Sequence, residues 1–99
     1  MNSINIKDFK NLLKEKNEDI LIVDVRGKDE WNAGHIEDSR VINKHVNSLM
    51  FDSSKLDKSK QIYLICESGG RSSFAQLILT TKGFNCINVD GGMSAFKKL

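Results

Sequence analysis

From Gln61 to Ser73 the chain reads Gln-Ile-Tyr-Leu-Ile-Cys-Glu-Ser-Gly-Gly-Arg-Ser-Ser, a stretch that few architectures accommodate. Ile62, Tyr63, Leu64 and Ile65 suit a buried strand, Cys66 ends it, two glycines follow, and a helical pattern begins near Arg71. The expected local structure is therefore a strand, a tight loop and a helix start. Gly69 and Gly70 can take positive φ and carry no side chain, so backbone N–H groups can converge above the Cys66 sulfur. The positive end of the following helix and the planar guanidinium of Arg71 add to an environment that favours an anion and promotes ionisation of the thiol.

The rest of the chain fits around this unit. Ile20-Leu21-Ile22-Val23-Asp24-Val25 lacks alternation until Asp24, which predicts a strand buried on both faces, as in a parallel sheet. Phe9, Leu12 and Leu13 predict a helix over about Lys7 to Asn17, after a lead-in containing Ile4 and Ile6. Lys28 to Ala33 suits a short helix stopped by Gly34. Val41-Ile42 suggests a weak third strand, and Asn43 to Asp57 one or two helical turns. Phe74, Leu77, Ile78 and Thr81 lie at i, i+3, i+4 and i+7, with Gly83 as the expected helix stop. Asn85 to Val89 reads as a strand with Ile87 and Val89 on one face and Cys86 and Asn88 on the other. A turn at Gly91-Gly92 then leads into a terminal helix bearing Met93, Phe96 and Leu99. Alternating strands and helices predict one α/β domain over residues 1–99, with a mostly parallel sheet and helices on both faces. Sites in such sheets lie beyond the carboxyl ends of the strands, here Asp24, Cys66 and Asp90.

Charge excludes some functions. Fifteen Lys and Arg against thirteen Asp and Glu give a net charge of +2, and the charges are interspersed, so no nucleic-acid or lipid-binding patch is expected. No apolar run approaches the roughly 20 residues of a membrane-spanning helix, and the N-terminus lacks a signal-like apolar segment. A cytoplasmic location is the expectation, with Cys66 and Cys86 as thiols. His35, His45, Cys66 and Cys86 have no metal-ligand spacing, and no cofactor is expected.

Cys66-Glu67-Ser68-Gly69-Gly70-Arg71-Ser72 resembles the active-site loop of rhodanese-type sulfurtransferases. Asp24-Val25-Arg26, Glu30-Trp31 and Gly34-His35-Ile36 resemble that family's first block, and Gly83-Phe84, Gly91-Gly92 and Ala95-Phe96 its last. The resemblance implies a rhodanese-like, five-stranded parallel sheet and a Cys66 that carries sulfur as a persulfide. Glu67, Ser68, Gly69, Gly70 and Arg71 would then surround a small anionic donor such as thiosulfate, with cyanide, a thiol or a protein as acceptor. Asp24 and Arg26 would form a supporting ion pair, with Ser72 also supporting the site; Glu30 and His35 would be architectural. The chain departs from the family pattern at residues 37–43, where prolines and a glycine are common in the family, whereas this chain has no proline. Glu67 also places a negative charge directly after the nucleophile.

Activating the thiol cannot be the loop's main contribution. Lowering a pKa of about 8.5 by two units would raise the thiolate fraction at neutral pH roughly 25-fold, but the lost basicity costs roughly eightfold in nucleophilicity, leaving about threefold. Orienting the donor and stabilising anions should matter more. A phosphatase or arsenate reductase of related fold is an alternative, but four residues separate Cys66 from Arg71, where those phosphatases resemble one another in having five. A non-catalytic rhodanese-like binding module is another, although such modules typically lose the cysteine.

Overall fold

The computed structural model describes Met1–Leu99. In chain order the elements are β1 (Ser3–Ile4), α1 (Ile6–Lys14), β2 (Ile20–Asp24), α2 (Lys28–Ala33), β3 (Val41–Asn43), α3 (Val46–Phe51), β4 (Gln61–Ile65), α4 (Gly70–Thr81), β5 (Cys86–Val89) and α5 (Gly92–Phe96). The five strands form one sheet in the order β1-β5-β4-β2-β3, and every pairing is parallel. β2 and β4 are central and apolar on both faces. Val23, Ile62, Leu64 and Cys66 pack with Val46, Leu49, Ala75 and Leu79 from α3 and α4, while Ile20, Ile22, Tyr63 and Ile65 pack with Phe9 and Met93 from α1 and α5. The unbroken apolar runs thus correspond to strands covered by helices on both faces.

Local chemistry fixes the ends of these elements. The Asn5 side chain accepts the Asp8 N–H at 2.9 Å and starts α1. α4 ends where Gly83 (φ 89°) donates to Thr80 O and Phe84 donates to Leu79 O, a glycine-terminated stop in which Phe84 folds back onto the core. At residues 37–43, Asp38 and Arg40 do the work that prolines could otherwise do. Asp38 accepts from the backbone and side chain of Arg40, and Arg40 also donates to the carbonyls of Leu13, Glu15 and Asn17. This guanidinium therefore ties the end of α1 to the start of β3.

Two apolar expectations fail. Phe74 and Leu77 are exposed, whereas the buried face of α4 carries Ser72, Ala75, Gln76 and Leu79. Small Ser72 and Ala75 let the helix lie close to the sheet, and the Gln76 amide is satisfied by Asn2 O at 2.6 Å and Cys86 O at 3.1 Å. Leu99 lies beyond α5 and is also exposed.

Candidate active site

The site is built where β4 ends. Cys66 follows the last strand residue, and Gly69, at φ 112°, caps α4 in the left-handed region. That conformation, suited to glycine, points the Gly69 N–H at the sulfur, with N···Sγ 3.0 Å. Ser72, in the first turn of α4 and fully buried, places Oγ 3.3 Å from Sγ. Burial raises the cost of ionising Cys66, but the Ser72 hydroxyl and the N–H groups of Ser72, Gly69 and Ser68 outweigh it and hold the thiol below its ordinary range. The Ser72 hydroxyl also lies 3.1 Å from Gly69 O. Its single proton can serve the carbonyl when sulfur is protonated and the sulfur when it is a thiolate. Gly70 needs no positive φ, and a Cβ there would meet nothing within 4 Å. Its bareness leaves the loop open without being required for packing. Cys86 lies in the core, where burial pushes its thiol up to about 11.

Ser72→Ala tests the electrostatic assignment. A hydrogen bond to a charged group contributes about 1.5–3 kcal/mol, so its loss moves the thiol's ionisation to higher pH. Partial compensation by greater basicity leaves alkylation of Cys66 at pH 7 about threefold slower. The pH–rate profile should move alkaline; an unmoved profile would remove Ser72 from the set of groups holding the thiolate.

Beneath the loop, Asp24 and Arg26 form the expected pair, each 1% exposed, with Nη2···Oδ2 at 2.8 Å. Arg26 also donates to Gly34 O at 2.8 Å and to Glu67 Oε1 at 3.3 Å, while Asn43 donates to the Asp24 and Arg26 carbonyls. The Glu67 carboxylate is therefore engaged by this layer rather than free to face a donor alone. It accepts from Ser94 Oγ at 2.8 Å and lies 3.8 Å from Lys97 Nζ. These contacts, the Ser94 hydroxyl first, hold its carboxyl below the usual range. Asp90 is exposed and does not join this network.

Arg71 reaches Glu30 of α2, with Nη1···Oε1 at 2.5 Å and Nη2···Oε2 at 2.8 Å. Glu30 also accepts the Gly27 N–H at 3.1 Å, and chiefly through Arg71 its carboxyl is held down to about 2. Nearby, His35 stacks on Trp31 with centroids 3.7 Å apart, and its Nδ1 lies 2.8 Å from Trp31 O.

Sequence reasoning missed the role of α5. Met93 N donates to Cys66 O at 2.8 Å and Ser94 N to Glu67 O at 2.9 Å, so the start of α5 grips the first two carbonyls of the loop. Gly91 and Gly92 both have positive φ, and a Cβ on Gly92 would lie 2.3 Å from Cys66 O. The glycine pair is the available signal, since two adjacent glycines mark a turn and also a place where backbones can approach closely.

Residues 5–99 match the rhodanese-like domain family. The chain is 34% identical over 88 residues to YtwF of Bacillus subtilis, covering 86% of this chain and 84% of that protein. It is 30% identical to thiosulfate sulfurtransferase 18 of Arabidopsis thaliana, covering 95% and 76%. Among solved structures, SSP1007 from Staphylococcus saprophyticus superposes with TM-score 0.88 at 32% identity, covering 97% of this chain and 93% of the other. A rhodanese-like domain protein from Staphylococcus aureus gives 0.85 at 31%, covering 97% and 91%. The likeness runs from α1 through the cysteine loop to α5, and by it this chain belongs to the rhodanese-like domain family.

Proposed function

We propose that the protein is a sulfurtransferase in which Cys66 carries sulfur between an anionic or persulfide donor, thiosulfate among them, and a thiophilic acceptor such as cyanide or a thiol. The observation that carries this reading is the Cys66 sulfur held among the Gly69 N–H at 3.0 Å and the Ser72 hydroxyl at 3.3 Å, donors suited to a thiolate and to a persulfide anion. In the first half-reaction the Cys66 thiolate attacks the outer sulfur of thiosulfate. The new S–S bond forms as the old one breaks, and sulfite leaves with the electron pair. In the second, cyanide or a thiolate attacks the outer sulfur and releases the Cys66 thiolate. The chain's part is to favour the Cys66 thiolate, fix the loop through Met93 and Ser94, and offer amides to each anion in turn. No cofactor enters this cycle.

The test is turnover of thiosulfate and cyanide to thiocyanate. Wild type should turn over, and Cys66→Ser should lose at least about a thousandfold, because hydroxyl replaces the only sulfur nucleophile in the loop. Retained turnover in Cys66→Ser would reject the assignment, and hydrolysis of a phosphate ester without sulfur transfer would favour the phosphatase reading.

A further inference from the structure

The cation in the first turn of α4, directly after the thiol loop, is already answered by a carboxylate. Arg71 and Glu30 meet end to end through both terminal nitrogens and both oxygens, and the Gly27 N–H holds Glu30 in place at the start of α2. Arg26 offers no substitute, because Asp24 and Glu67 take up its charge in the buried layer below. The groups whose charges act on Arg71 are Glu30, Cys66 and Asp24, all negative when ionised. Glu30 stays ionised throughout the neutral range, since its carboxyl is held down to about 2 by Arg71 first of all. A donor entering this loop meets a neutralised guanidinium and a thiolate.

Resting on the sulfurtransferase reading, we infer that Glu30 sets the class of donor this site accepts. By neutralising Arg71, it disfavours small dianions such as thiosulfate relative to sulfane-sulfur donors that bring less charge to the loop. Repulsion from one fixed charge grows with the charge of the donor, so a dianion loses twice as much, in logarithmic terms, as a monoanion of the same shape. Glu30 is therefore a positioning and specificity residue acting through Arg71, and it does not touch the transferred sulfur.

Methanethiosulfonate is the matched probe: a monoanion close in shape to thiosulfate. Attack by the Cys66 thiolate on its terminal sulfur gives the Cys66 persulfide and methanesulfinate, just as thiosulfate gives the persulfide and sulfite. Glu30→Gln removes the charge and keeps an oxygen for the Gly27 N–H. Sulfur uptake at Cys66 by the variant should become more efficient by roughly tenfold with thiosulfate and roughly threefold with methanethiosulfonate, mainly through KM, the scale expected for one partly screened charge a few ångströms away. A fall in thiosulfate uptake, or an equal change for both donors, would overturn the proposal and make Glu30 a mere orienter of Arg71. A second readout needs no sulfur transfer. The rate of Cys66 alkylation by anionic iodoacetate relative to neutral iodoacetamide should rise about threefold in Glu30→Gln, and an unchanged ratio would contradict the proposal. If neither donor loads either protein, the sulfurtransferase reading fails, while the alkylation ratio still decides the role of Glu30.

Discussion

Gly92→Ala is expected to destabilise the protein by about 3 kcal/mol and to lower sulfur loading at Cys66 by roughly a hundredfold. The added Cβ would lie 2.3 Å from Cys66 O, 2.7 Å from Glu67 O and 2.8 Å from Glu67 C, all of them backbone atoms that no rotamer change can move. Gly92 also sits at φ 55°, where an L-residue pays about 1 kcal/mol. Relief requires α5 to retreat from the loop, which breaks the Met93 and Ser94 donations to the Cys66 and Glu67 carbonyls. The loop that aims the Gly69 N–H at sulfur then loses its support. Thermal unfolding and thiosulfate loading measure the two effects. For stability, Gly70→Ala is the matched comparison, since a Cβ there meets nothing within 4 Å and Gly70 has no positive φ. Equal melting temperatures for the two variants would contradict the proposed grip of α5 on the loop.

Arg26→Ala should be comparably severe, for an electrostatic reason. Removing the guanidinium leaves Asp24 buried at 1% exposure without its cation and strips the Gly34 carbonyl of a donor. Breaking one side of a buried pair costs about 3–5 kcal/mol, which in a domain of this size corresponds to a fall in melting temperature on the order of 15 °C or more. The double change Asp24→Asn with Arg26→Leu should recover much of that loss, because no unpaired charge remains. Similar melting temperatures for the single and double variants would show that the charge pair is not what stabilises this layer. Glu67 would also lose one of its partners in both variants, so the loop should load sulfur more slowly even where stability returns.

How far the sequence could be read follows from the range of each signal. The central strands were clear because β2 and β4 are apolar on both faces, and the cysteine loop was clear because its strand, glycines and helix start are contiguous. The Asp24–Arg26 pair was legible only through the family resemblance of Asp24-Val25-Arg26; its spacing alone does not specify an ion pair. The buried face of α4 was not: its stripe runs through Ser72, Ala75 and Gln76, and hydrophobic periodicity favours the exposed Phe74 and Leu77 over a glutamine satisfied by two carbonyls. The pairs that shape the site join residues far apart in sequence. Arg71 meets Glu30 across 41 positions, and Glu67 meets Ser94 across 27. Only the parallel strand order brings α2, the loop and α5 to one end of the sheet, so the Arg71–Glu30 and Glu67–Ser94 contacts leave no signature in the local sequence.

Whether Cys66 carries the transferred sulfur is decided by the intact mass of the unreduced protein before and after thiosulfate. The expected result is a gain of one sulfur, roughly 32 Da, that is lost on adding cyanide or a thiol and is absent from Cys66→Ser. A gain that persists in Cys66→Ser, or no gain with thiosulfate, methanethiosulfonate or a protein persulfide, would contradict it.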